Sequence, residues 1–489
     1  MRLRIKRRLK QLTVLLAVAA VTLFSVRVYD TQSGPPLEPW HTEVPTELTT
    51  EELDHADWAE YLRVERRAFD EVTHEVTEKL DADERQPFNR YFQGSVIYPG
   101  HFRHDWNHSY ELRPAGPPQG AVVMLHGLTD SPYSLRHLAA HYQQRGWLVV
   151  GIRLPGHGTV PGALTQVSWE QWMAATRLAV REARERAGPA VPLQLVGFSN
   201  GGALALKYTL DALHDPSLVR PQRVVLISPM IGVTHFARFA GLAGLPALFP
   251  RFAKAAWLSI LPEFNPFKYN SFPVNGARQS WELTQALQQQ ITQEEKGGGL
   301  AQLPPLLTFQ SVLDSTVSTR AVVEALYNRL PTNGSELVLF DINRRAEFGP
   351  LLKPNADTAL ERLLPPPPRR YATTVVGNGP AGSGNSVVAD TLPANGLAHQ
   401  RQALGIAYPP EIYSLSHVAL PFPPDDSLYG RTPADPHQFG LSLGTLASRG
   451  ERGALVESMD TLMRIASNPF YPWLLARIDQ GIQGRSALR

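Results

Sequence analysis

At 489 residues the chain is long enough for one large α/β core with insertions. Its 47 basic and 45 acidic residues nearly cancel, which leaves no whole-chain electrostatic case for nucleic acid. Cysteine is absent, which excludes disulfides, thiolate metal sites, a lipid-modified cysteine and a cysteine nucleophile.

The N-terminus reads MRLRIKRRLKQLTVLLAVAAVTLFSVRVYD. Residues 1–11 make a basic flank, and residues 12–29 a membrane anchor or signal segment built on the uncharged run Leu12 to Val26. That run is short of the roughly 20 residues that span hydrocarbon, but Lys10 and Arg27 flank it and can snorkel. No small-x-small cleavage pattern follows, which favours an uncleaved anchor over a cleaved signal. By the positive-inside rule the basic end stays cytoplasmic and the remainder is exported. The expectation is a single-pass protein of the inner (cytoplasmic) membrane with its main body on the periplasmic side, or a protein secreted to the periplasm if the segment is cleaved.

Residues 30–48, which include DTQSGPPLEPW, read as a proline-rich stalk. An amphipathic helical arm is expected over residues 49–82, opened by a capping box in which Thr49 pairs with Glu52. Trp58, Leu62, Phe69, Val72, Val76 and Leu80 recur three, four or seven apart and form one apolar stripe for packing on the main body.

Residues 83–489 read as one domain of alternating strand and helix. SYELR and AVVMLH are strands, SPYSLRHLAAHYQQRG a helix and WLVVGIRL a strand. The helix WEQWMAATRLAVREARERA, the strand LQLVGF, the helix GGALALKYTLDALH and the strand RVVLISP follow. Such alternation implies a mainly parallel sheet with helices on both faces, and ligands in such sheets bind beyond the carboxyl ends of the strands. A helical cap is expected over 230–303 before the strand LLTFQSVLD restores the alternation. Strands return at ELVLFDI and EIYSLSH, separated by an insertion over 343–410, and ESMDTLMRIASNPFYPWLLARI reads as the final helix.

GFSNG places Ser199 directly after a strand and before a helix, in the nucleophile-elbow form G-x-S-x-G. A serine at a sharp strand-to-helix turn projects its hydroxyl into the crevice, and the helix N-terminus favours developing negative charge. GLSLG repeats the pattern around Ser442, but no strand leads into it and no histidine follows, so Ser442 reads as structural. Paired donors for an oxyanion are expected from the backbone N–H groups of Asn200 and Leu128, the latter in VVMLHGLTDSP. His126 precedes the serine and reads as a loop brace. A Ser, Asp, His chain order makes Asp314, at the end of LLTFQSVLD, the expected acid, with Asp341 its rival. His417, at the end of EIYSLSH, is the expected base; His399 and His437 lack strand contexts.

From about Gly120 to Leu420 the chain resembles the α/β-hydrolase superfamily, nearest its monoacylglycerol lipase, lysophospholipase and carboxylesterase branch. LHGLTDSP, RLPGHG, GFSNGG, LDSTV and LSH carry the resemblance. It implies an α/β-hydrolase fold with a helical cap insertion, and ester hydrolysis through an acyl-Ser199 intermediate, with His417 as base then acid and Asp314 orienting it. About a hundred residues separate acid and histidine, where the family usually has few, which implies an extra lobe before His417.

Other patterns carry less. Gly377, Gly379 and Gly382 have dinucleotide spacing but lack the following helix and acid. His101, His104, Asp105 and His108 fit a strand-edge loop rather than a metal site. The stretch from Leu218 to Pro262 has no acid but carries Arg220, Arg223, Arg238, Arg251 and Lys254, so the cap covers an acyl pocket or, alternatively, touches anionic lipid. The expected substrate is a small-molecule acyl ester or lipid, with a thioesterase, a serine peptidase and a non-catalytic hydrolase-like scaffold as alternatives. The chemistry requires no cofactor or metal, and protein partners are not legible in the sequence.

Overall fold

The computed structural model describes residues 2–232, 250–314, 316–342, 359–380, 386–408, 415–445 and 466–483. Its strands are β1 (Tyr110–Leu112), β2 (Gly120–Leu125), β3 (Trp147–Ile152), β4 (Leu193–Phe198), β5 (Arg223–Ile227), β6 (Trp257–Ser259), β7 (Phe272–Pro273), β8 (Leu306–Ser311), β9 (Glu336–Asp341), β10 (Ala372–Asn378), β11 (Ser386–Leu392) and β12 (Gln400–Ala407). The helices used below are α1 (Arg2–Ser33), α2 (Pro39–Thr42), α3 (Thr50–His55), α4 (Trp58–Glu75), α5 (Arg136–Gln144), α6 (Trp169–Ala187), α7 (Asn200–Asp211), α8 (Val274–Gly297) and α9 (Tyr471–Gln483).

One sheet runs in the order β1-β3-β2-β4-β5-β8-β9-β10-β11-β12, while β6 and β7 pair separately. The strands from β3 to β10 are parallel; β1, and β11 against its neighbours, are antiparallel. Every residue of β2 is buried, because successive side chains feed two different cores. Ala121, Val123 and Leu125 join Trp172 and Leu178 of α6, Leu204 of α7 and Leu283 of α8 on one face. Val122 and Met124 join Leu138 and Tyr142 of α5 and Leu474 of α9 on the other. Burial of each such side chain stabilises by about 1.5–3 kcal/mol, so the continuous apolar runs bind both helical layers to the sheet.

The expected membrane anchor is corrected. Residues 2–33 form the single helix α1, yet among the described residues no helix is long and apolar enough to cross a membrane. At 1.5 Å per residue the run Leu12 to Val26 covers only about 22 Å of the ~30 Å hydrocarbon core, and Thr13, Thr22 and Ser25 dilute it. A single-pass inner-membrane placement through residues 12–29 therefore fails. Of the basic cap, 233–249 fall outside the described residues; Lys254 is half-buried and donates to the Gly34 carbonyl at 2.9 Å.

Residues 49–82 contain a break that the apolar stripe conceals. Thr49 and Glu52 form their capping box on α3, but Asp57 then caps α4 by accepting from the Glu60 N–H at 2.7 Å. What holds these residues to the sheet is charge as well as packing. Arg153, at the end of β3 and fully buried, pairs with Glu47 at 2.7 Å and with Glu65 of α4 at 3.1 Å. Glu65 also accepts from the Ser109 hydroxyl at 2.6 Å, and the Tyr61 hydroxyl donates to the Arg153 carbonyl. Burial opposes the Glu65 carboxylate, but His108, Arg153 and Ser109 outweigh it and hold its pKa below the usual range.

The insertion before His417 joins the main sheet instead of standing apart. β10 lies parallel to β9 in the register Val375 to Leu339, β11 pairs antiparallel with β10, and β12 closes the edge. Beyond it, residues 415–445 are clamped to α5. Asp426, wholly buried, pairs with Arg136 at 2.6 Å and His137 at 2.9 Å, and accepts from the Tyr133 hydroxyl at 3.1 Å. Burial would raise the Asp426 carboxyl, but Arg136, His137 and the Tyr429 N–H hold it far below the usual range.

Glu65→Ala should lower the unfolding free energy in urea by about 3 kcal/mol, because it removes one of two partners from a buried guanidinium. Asp426→Asn should cost about 3 kcal/mol near neutral pH. A depressed folded-state pKa contributes stability above the unfolded carboxylate value, about pH 4, and loses it as pH falls further. The gap between wild type and Asp426→Asn in urea melts should therefore narrow below about pH 4.

Candidate active site

β4 ends at Phe198 and α7 begins at Asn200, so Ser199 occupies the junction itself. Its backbone sits at φ +53° and ψ −114°, a conformation costing a non-glycine residue about 1–3 kcal/mol. The end of β5 pins it there: the Ser199 N–H donates to the Ile227 carbonyl at 3.0 Å, and the Ser199 carbonyl accepts from the Met230 N–H at 2.9 Å. Gly201 has no freedom to be anything larger. A Cβ there would lie 1.9 Å from the Leu125 carbonyl oxygen, so α7 approaches the end of β2 only because that atom is missing.

Asp314 follows β8, and His417 opens a 3-10 turn over His417–Ala419. The structure brings the two together: the His417 Nδ1 lies 2.7 Å from the Asp314 Oδ2, with side chains only 7% and 0% exposed. The other Asp314 oxygen accepts from the N–H groups of Thr316 at 2.8 Å and Val317 at 3.0 Å. Burial raises the Asp314 carboxyl, but His417 and those two N–H groups prevail and hold its pKa below the ordinary value. The ring of Phe198, the residue before Ser199, stands 5.2 Å from the His417 ring, which brings the pair to the elbow. Asp341, the rival acid, ends β9 one strand away from β8.

Leu128 and Asn200 flank the same corner. Asn200 is the first residue of α7, where an N–H has no acceptor within its own helix. Leu128 follows Gly127, at which a Cβ would meet the Ser199 Cβ at 3.2 Å. His126 braces this loop. Its Nε2 accepts from the Leu154 N–H at 3.0 Å, so Nδ1 carries the proton and donates to the Gly127 carbonyl at 2.9 Å. Burial pushes the His126 imidazole well below its usual pKa and keeps it neutral in that role.

The remaining candidates lie elsewhere. His399, just before β12, pairs with Asp390 of β11, and Ser442 sits outside any strand-to-helix junction. His108 bonds Glu65, while His104 packs on Trp106. Gly377 lies within β10, and Gly382 falls outside the described residues. Among the described residues no group of three or more His, Asp or Glu is placed to hold a metal ion. Two supports of the site are not evident from sequence. Gln310 donates to the Asp314 Oδ2 at 3.1 Å, and its polarity inside the apolar LLTFQS is the one available signal. Asp426, which clamps the segment that follows His417, has none.

Comparison with known proteins places residues 116–342 in a family profile described as serine aminopeptidase, S33. A thermostable monoacylglycerol lipase from Bacillus sp. (strain H-257) is 29% identical over 123 residues, which are 25% of this chain and 45% of that protein. The match thus spans less than half of this curated relative. A monoacylglycerol lipase structure from Paleococcus ferrophilus superposes with a TM-score of 0.33 at 17% identity, covering 46% of this chain and 84% of the other. A soluble variant of monoglyceride lipase from Saccharomyces cerevisiae gives 0.35 at 14% identity, covering 46% and 78%. The mainly parallel sheet with helices on both faces is an α/β-hydrolase-type fold, and residues 116–342, just under half of the chain, are similar to the serine aminopeptidase, S33 family.

Proposed function

We propose that the protein is a serine hydrolase that cleaves carboxylic esters of acyl chains through an acyl-Ser199 intermediate. One observation carries the reading: a serine held in a strained elbow beside a buried histidine whose Nδ1 faces a carboxylate at 2.7 Å. With Nδ1 engaged by Asp314, only Nε2 of His417 remains to accept the Ser199 proton as its oxygen attacks the ester carbonyl. Asp314 stabilises the imidazolium that forms, and the N–H groups of Leu128 and Asn200 receive the oxyanion. The imidazolium then protonates the departing alcohol; water, deprotonated by the same Nε2, releases the acid and restores Ser199.

The name of the lipase relative supports an acyl ester, while the description of the family profile supports a second reading, cleavage of an N-terminal peptide bond with the same residues. A panel of acyl esters beside aminoacyl nitroanilides separates them. Ester turnover with no release of nitroaniline is the expected result, and the reverse would replace the first reading with the second.

Ser199→Ala should remove ester turnover to the background of the assay and abolish labelling by a fluorophosphonate probe. Asp314→Asn should leave Ser199 in place yet cut kcat by about 10⁴-fold, because the amide no longer fixes the imidazole or balances its charge. Turnover that survives in Ser199→Ala would overturn the assignment.

A further inference from the structure

The residue after Ser199 carries a polarity that the chemistry above leaves idle. Asn200 enters that chemistry only through its backbone N–H, which any residue but proline would supply, yet its side chain is a carboxamide with no exposed surface. Oδ1 and Nδ2 are both enclosed, and neither has a hydrogen-bond partner among the described residues. Ala203, Leu204, Ala205 and Leu206, buried side chains that follow in α7, are apolar, so packing alone does not call for an amide here. An amide withdrawn from water without a partner costs the folded state free energy, and a catalytic or ligand-binding task explains why it is kept. Its direction follows from its place. Asn200 is the first residue of α7, and the Cα–Cβ bonds of a helix lean toward its N-terminus, which here is the elbow. The elbow fixes that first turn, because the Ser199 carbonyl accepts from the Gly202 N–H at 3.0 Å as well as from the Met230 N–H at 2.9 Å. No hydrogen bond prevents the carboxamide from turning about its Cβ–Cγ bond and bringing Nδ2 beside the backbone nitrogen of the same residue, so that both aim at one acceptor.

We infer that the Asn200 side chain is itself catalytic: its Nδ2–H donates a third hydrogen bond, beside the backbone N–H groups of Leu128 and Asn200, to the oxyanion of the tetrahedral intermediate. The inference rests on the ester-hydrolase reading. The amide makes and breaks no covalent bond. Negative charge appears on the carbonyl oxygen as the Ser199 oxygen adds to the ester and leaves when the intermediate collapses, so a donor placed there acts on the transition state more than on the bound ester. An anionic oxygen is the fitting acceptor because the helix N-terminus on which Asn200 stands favours negative charge.

Substitution of Asn200 by any residue but proline keeps the backbone N–H, so the side chain can be tested alone. Asn200→Leu keeps its approximate size and removes both polar atoms. The readouts are kcat and KM on p-nitrophenyl octanoate, affinity for an alkyl boronic acid that adds to the serine as a tetrahedral mimic, and the midpoint of thermal unfolding. In Asn200→Leu, kcat should fall about 10²-fold and boronate affinity by a similar factor, with KM unchanged within about twofold. The unfolding midpoint should hold or rise, because an unpartnered buried amide has been removed. An unchanged kcat, or a lower kcat with boronate affinity intact, would reduce the side chain to filling and overturn the inference while the ester reading stands. Should Asn200→Leu fail to fold, Asn200→Ala, which only removes atoms, decides by the same kcat and boronate readouts. Wild type that cleaves no ester would overturn the ester reading itself, and this inference with it.

Discussion

One buried guanidinium organises the first half of the chain. Arg153 stands at the carboxyl end of β3 with no exposed surface, and a charge there is tolerable only if carboxylates come to meet it. Both arrive from the N-terminal residues, Glu47 and Glu65, and Glu47 also accepts from the Gly156 N–H at 2.9 Å. The helical arm is thus part of the domain's interior, and the loop RLPGHG takes its shape from it. Since Leu154 in that loop donates to His126, the same network extends to the loop carrying Gly127 and Leu128.

The corner around Ser199 shows a similar economy. Strain in one residue is held by hydrogen bonds from β5, and close approach of α7 to β2 is secured by a glycine. Electrostatics complete the arrangement. Asp314 keeps its charge through His417 and two backbone N–H groups, and His126 keeps its neutrality through burial. Two titratable residues a few strands apart are thereby fixed in opposite protonation habits by their surroundings.

Much of this is legible in the order of the amino acids. LQLVGF and WEQWMAATRLAVREARERA coincide with β4 and α6 to the residue, because long uninterrupted apolar periodicity leaves little else for those segments to do. The elbow is readable from its glycines. The outer strands are not. SVVADTL pairs on both sides yet is fully buried at only three of its positions, and QRQALGIA is exposed at most positions, so neither carries the apolar run by which an interior strand betrays itself. The segment STRAVVEALYNRL likewise folds as short α, π and 3-10 turns instead of one continuous helix, a detail of backbone winding that periodicity does not encode. The N-terminal segment misleads in the other direction, since its basic flank resembles a topogenic signal while the run behind it is too short to span.

The placement of β10, β11 and β12 also orders events in time. Asp314 and His417 are 103 residues apart along the chain, and four of the described strands, β9 to β12, intervene. Bringing such distant ends together carries a loop-closure cost that rises with the logarithm of the separation, and it falls when the intervening chain has already condensed onto the sheet. The 2.7 Å contact therefore belongs among the late events of folding, after the sheet has been extended to its far edge. A nascent chain would carry its strained serine for some time before His417 arrives at the same corner.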